Sequence, residues 1–99
     1  MLVTLTEVVM PRHTTIKNEI DYNLRNIAIN PSHVICVTEE PKMKMMLEEG
    51  RLPKGLDSRC SFSRVTVNRG NTGTDVVVVG SPEQVLEKLE KYEKRLLQG

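Results

Sequence analysis

Residues 60 to 70 read CSFSRVTVNRG and contain the one phenylalanine of the chain, Phe62. Arg64 follows two positions later, then Asn68 and Arg69, with Asn71 and Thr72 in the adjoining RGNTG segment. Together these residue types suit a flat anionic ligand. A phenyl ring stacks on a base for about 1–3 kcal/mol, a guanidinium binds phosphate bidentately, amides read base edges, and glycines such as Gly70 and Gly73 let backbone N–H groups come close. Strand alternation places Val65 and Val67 on one face with Ser61 and Ser63, and Phe62, Arg64, Thr66 and Asn68 on the other. If the valines face the core, Phe62 stands outward among polar neighbours, as a stacking platform would. The structural alternative is equally concrete. A lone ring on a polar face also arises where it covers a second layer, lies under residues 11–25 or plugs into a neighbouring subunit, and a bulge would reverse the alternation. Both readings stand at this point.

Catalytic chemistry has less to build on. His13 and His33 are far apart in sequence, no carboxylate pair stands out, and the chain carries no G-x-S-x-G, H-E-x-x-H or Walker pattern. Cys60 lies beside Arg59, which could favour a thiolate, but no base is positioned by sequence to activate it. Cys36 and Cys60 lack C-x-x-C spacing, so both read as reduced thiols and not as zinc ligands or a redox pair. The sequence therefore predicts no enzyme, no cofactor and no metal.

The elements that must position these residues follow from periodicity. Residues 2–10 alternate as a half-buried strand, with Val3, Leu5 and Val9 opposite Thr4 and Thr6. Residues 11–25 open on a proline, show no sustained period and read as a loop or hairpin extension ordered by a partner subunit. NIAINPSHVICV reads as two strands around an Asn-Pro-Ser turn, hence a hairpin. Pro41 and Gly50 bracket a short helix with Met43, Met46 and Leu47 on one face, a stripe better suited to adaptable packing than to a ligand box. Residues 60–68 and 74–79 read as strands joined by RGNTG, and the run of four valines in DVVVVG belongs to a strand covered on both faces. Ser81, Pro82 and Gln84 form a capping pattern, after which Val85, Leu89, Tyr92 and Leu96 mark the apolar face of a helix packed on a sheet. One α+β domain over residues 1–99 results: an antiparallel sheet of about five strands, a short middle helix and a C-terminal helix.

Composition bounds the partners. A formal net charge of +1 over 99 residues gives no broad electrostatic footprint for duplex nucleic acid. No apolar run is long enough to span a membrane, and the start of the chain lacks signal-peptide character, so the expectation is a cytoplasmic protein. So short a chain buries limited apolar surface, which favours a homo-oligomer.

The blocks VTLTE, IAINPSHVICV, RVTVNRG and VVVVGSPEQVLEKLEKY resemble the skeleton of small flagellar FlbD-like proteins, and span the larger part of the chain. The same skeleton is similar to small phage-encoded Thoeris anti-defence proteins, oligomeric sponges that sequester a cyclic ADP-ribose signal without hydrolysing it. The second resemblance implies that Phe62 is the ring stacked on the ligand's base and Arg64 its basic neighbour. Arg25, Arg69, Asn71 and Arg95 are further ligand candidates on chemistry alone. Residues 11–25 and the methionine helix are additions to the flagellar pattern and fit the sponge better. Two functions are thus expected from the sequence: a non-enzymatic binder of a nucleotide-type signalling molecule, or a flagellar or phage protein-interaction adaptor with Phe62 and the methionines as its contact surface.

Overall fold

The computed structural model describes residues 2–9, 22–53, 55–57, 59–70 and 72–98, with residues 69, 72 and 92–98 described by backbone alone. Five strands are β1 (Val3–Val9), β2 (Asn23–Ile29), β3 (Val34–Glu39), β4 (Phe62–Arg69) and β5 (Thr72–Val79); the helices are α1 (Pro41–Glu48) and α2 (Pro82–Gln98). They form the expected α+β arrangement, an antiparallel sheet ordered β2-β1-β5-β4-β3 with two helices. Among the described residues no helix is long and apolar enough to cross a membrane.

The four valines occupy the middle strand, β5. Val76 and Val78 point to one face, into a core with Leu5, Val65, Val67, Val85 and Leu89. Val77 and Val79 point to the other, where Val8, Met43, Leu52 and Phe62 form a second core. A strand flanked on both sides and covered on both faces is the environment in which an unbroken apolar run is stable. β4 and β5 pair from Phe62–Val79 to Arg69–Thr72, and Gly70, just past the end of β4, takes a positive φ of 68°, as tight hairpin connections favour.

β2 and β3 do not form the hairpin that NIAINPSHVICV suggests. β2 pairs with β1 and β3 with β4, which places them at opposite edges of the sheet. Pro31–His33 instead forms a short 3-10 turn, with Asn30 Oδ1 accepting from the Ser32 N–H at 3.0 Å. The five steps from Ile29 to Val34 reach at most about 18 Å if extended, and a 3-10 turn shortens that. The edges of a flat five-strand sheet stand about 19 Å apart. The sheet must therefore curl, and Ile29 and Val34 accordingly pack on one core cluster. β1 joins β5 at the Glu7–Val78 pair, the seam at which the β1–β2 ribbon departs from the three-strand sheet. Asn23–Arg25, expected in a loop, belong to β2; residues 10–21 lie outside the described residues.

α1 begins at Pro41 and is followed by Gly50 at a φ of 74°, both as its sequence signals predict, and Met43 is buried with Met46 and Leu47 packed beside it. α2 starts from a reciprocal cap. The Gln84 N–H donates to Ser81 Oγ at 3.2 Å and the Ser81 N–H donates to Gln84 Oε1 at 2.9 Å. Ser81→Ala removes one half of this pair and is expected to cost about 1 kcal/mol in urea denaturation; an unchanged midpoint would show that the cap contributes nothing to stability. Gly80 precedes the cap at a φ of 126°, where its N–H donates to the Ser61 carbonyl and its own carbonyl accepts from Ser63 Oγ at 2.7 Å. That knot ties the start of α2 to the residues entering β4.

Candidate functional site

Phe62 shares a face with Arg64, as the alternation requires, but that face is not open. α1, Leu52, Leu56 and Cys60 lie over it, and Phe62 is 1% exposed against Val8, Met43 and Leu52, with Leu24 and Val79 alongside. The ring is a core side chain of its own chain and presents no surface for stacking. The expectation of an outward Phe62 is thus corrected: the polar face of β4 carries a second covering layer at its Phe62 end.

Arg64 is also engaged. Its Nε donates to Glu40 Oε1 at 3.0 Å, its Nη2 bonds the same oxygen at short range, and its Nη1 donates to Asp75 Oδ2 at 3.2 Å. Glu40 is buried at the start of α1, with its side chain 8% exposed. The hydrogen bond to Glu40, then that to Asp75, raises the pKa of the Arg64 guanidinium further above its usual value. Asp75 is held below the usual carboxylate range, first by the Thr66 hydroxyl donating to Oδ1 at 2.8 Å and then by Arg64. A phosphate approaching Arg64 meets a guanidinium already matched by two carboxylates. Its geometry is that of a scaffold for acidic groups.

The other candidates do not converge on Phe62. Asn68 is exposed near the end of β4, paired across the ladder with Gly73, and Arg69 pairs with Thr72 at the turn. Asn71 lies outside the described residues, and Arg95 falls in the last turns of α2, where only the backbone is described. Arg25 sits on the edge strand β2, with β1 and β5 between it and β4, and its Nε donates to Glu7 at 2.7 Å. The strand pattern brings Phe62, Arg64 and Asn68 onto one face. It does not bring Arg25 to them.

A different concavity lies beside α2. Two adjoining cavities of about 380 and 470 Å³ share Cys60, Val79, Gly80 and Gln84. Asp57, Arg59 and Ser81 line the first, and Val85, Glu87, Lys88 and Lys91 the second. Each is within the range that small-molecule pockets occupy, about 300–1,000 Å³. The groove forms where the Gly80 knot ties Ser61, and with it Arg59 and Cys60, to the start of α2. The Cys60 N–H donates to the Asp57 carbonyl at 2.9 Å and the Arg59 N–H to Asp57 Oδ1 at 2.8 Å, which fixes the turn and lowers the Asp57 pKa. The Arg59 side chain is 90% exposed and only loosely paired with Asp57 at 3.4 Å, so its guanidinium remains able to turn to a ligand. Lys88 and Lys91 are three residues apart and hence neighbours on α2, at the second cavity; the positive end of the helix dipole lies at the other end of the groove, by Ser81. The wall between them, Val79, Val85 and Cys60, is apolar. The lysines were visible in the sequence, but nothing there says that Cys60 shares a cavity with them.

Comparison with models of known protein families, with curated proteins and with solved structures finds no match to this chain. The chemistry of the groove and of the β4 face must carry the functional reading alone.

Proposed function

We propose that the protein is a non-enzymatic binding module that sequesters an anionic small molecule of nucleotide type, and that the ligand lies in the groove beside α2 and not over Phe62. The observation that carries this reading is the pairing of an apolar wall, Val79 and Val85, with the cations Arg59, Lys88 and Lys91, which outnumber the carboxylates Asp57 and Glu87 around the two adjoining cavities. Apolar surface takes the flat body of such a ligand and the cations take its phosphates. The resemblance to cyclic ADP-ribose sponges had placed the ligand on Phe62, which is enclosed, so the ligand class rests on the groove's own chemistry; sequestration by that route belongs in the cytoplasm, in a homo-oligomer.

Thermal shift against cyclic mononucleotides and cyclic ADP-ribose isomers tests it. A ligand at about 100 times its dissociation constant adds about 2.7 kcal/mol of stability. The Lys88→Glu, Lys91→Glu double variant alters exposed positions and should leave the unliganded melting temperature nearly unchanged, while the ligand response is lost. An absence of response across the panel, or an undiminished response in the variant, would remove the reading.

A protein-interaction role is favoured by a separate observation. β3 is an edge strand, and it exposes Ile35 (60% exposed) with no charged residue or proline between Val34 and Thr38 to blunt it. Ile35, in place of Phe62, would anchor such a contact surface. An adaptor using it would show no nucleotide response and would lose its partner on Ile35→Lys.

A further inference from the structure

The β4 face that carries Phe62 holds a third cavity, of about 290 Å³, at the rim of the Phe62 cluster, with Val8, Met43 and Val77 of that cluster as its apolar floor and Glu7, Glu40, Lys42, Arg64 and Asp75 around it. Its hydrogen-bonding capacity is lopsided. The Arg64 guanidinium is committed to Glu40 Oε1 and Asp75 Oδ2, and Asp75 Oδ1 accepts from Thr66. Glu7 gives Oε1 to Arg25 and has a side chain 16% exposed. Glu40, buried to 92% at its side chain (8% exposed), uses Oε1 for both contacts with Arg64, and no donor among the described residues reaches its Oε2. An enclosed carboxylate oxygen without a donor is costly, and an ionised donor satisfies it most strongly. What the cavity offers is therefore one acceptor, Glu40 Oε2, that no donor among the described residues reaches; the surrounding charges otherwise balance, with Arg25 on Glu7 and Arg64 between Glu40 and Asp75.

We propose that this cavity is a binding site for a small organic cation, a primary ammonium or guanidinium group on a short aliphatic stem. The head donates to Glu40 Oε2 and Glu7, and the stem lies on Val8, Met43 and Val77. The site is distinct from the α2 groove and opposite to it in charge preference. A free amine metabolite and a lysine or arginine side chain of another protein present the same chemistry, and the two are separated by experiment.

Met43 is 5% exposed at the cavity floor, so its methyl group reports occupancy directly. The protein carrying ¹³C-methyl methionine is titrated with agmatine, with putrescine and with a short arginine-containing peptide amide, each against sodium chloride of equal ionic strength. A saturable shift of the Met43 methyl with at least one of the three, absent with salt and with the exposed Met45 methyl unmoved, is the expected result. Agmatine or putrescine alone points to a metabolite; the peptide amide alone points to a protein side chain. Glu40→Gln should raise the apparent dissociation constant about tenfold or more, the loss of one charge-assisted bond. If that variant does not fold, Glu7→Gln is read instead and should weaken binding in the same direction. No saturable Met43 shift with any of the three cations, or shifts matched by sodium chloride, would overturn the proposal.

Discussion

Phe62→Ala is expected to destabilise the protein by about 3–5 kcal/mol, the range for truncating an enclosed phenylalanine. The ring closes the core between β4, β5, β1 and α1, and its neighbours Val8, Met43 and Leu52 are themselves buried. Backbone atoms hold that space open: the Glu40 N–H donates to the Phe62 carbonyl at 2.9 Å, pinning the entry of α1 to β4. The methionines can relax into part of the cavity, so the lower end of the range applies if α1 settles inward. A domain of this size has about 5–15 kcal/mol of stability in total, and the variant should show a markedly lower urea midpoint. A stacking platform behaves in the opposite way, losing its ligand while its stability is untouched. A Phe62→Ala protein as stable as the parent would therefore contradict the core assignment.

The second large effect is an asymmetry within the Arg64 network. Arg64→Met leaves the enclosed Glu40 carboxylate without its counter-charge, whereas Glu40→Gln leaves Arg64 with Asp75 and with solvent, since its side chain is 43% exposed. Removing the partner of a buried charge is the more damaging step. Arg64→Met is thus expected to lower the melting temperature more than Glu40→Gln, and the double variant should recover part of the loss, because neither charge then remains unmatched. Equal effects of the two single variants, or simple additivity, would count against a coupled pair. The network also has an acid limb. Asp75 has a folded-state pKa below its unfolded value of about 3.9, so its contribution is fully present above that value and is lost as pH falls through the lower, folded pKa. Asp75→Asn should flatten the fall in stability below about pH 4, read by melting temperature against pH.

Local signals in the sequence were faithful wherever one element decides its own form. Pro41 and Gly50 bracket α1, Ser81 and Gln84 cap α2, and Val76–Val79 lie in the central strand as four consecutive valines demand. The alternation of β4 was right as well: Val65 and Ser63 are fully buried on one side, and Phe62 and Arg64 lie on the other. What periodicity does not encode is which element lies over a face. The side of β4 that carries Arg64, Thr66 and Asn68 reads as solvent-facing, yet α1, Leu52, Leu56 and Cys60 cover its Phe62 end and convert a would-be platform into core. The hairpin expected from NIAINPSHVICV failed for a related reason. A turn sequence fixes the local reversal but not the ladder partner, and β1 and β4 outcompete β2 and β3 for each other. The α2 groove was hidden because it depends on contacts between Ser61 and Gly80 and between Ser63 and Gly80, nearly twenty residues apart.

Amide chemical-shift mapping with cyclic ADP-ribose as the probe ligand tests the functional account most directly. The account predicts perturbations confined to Arg59–Ser61, to Gly80, Ser81 and Gln84, and to Lys88 and Lys91, with the amides of Phe62, Met43 and Leu52 unmoved. Perturbations centred on Phe62 and α1, or none at saturating probe, would contradict it.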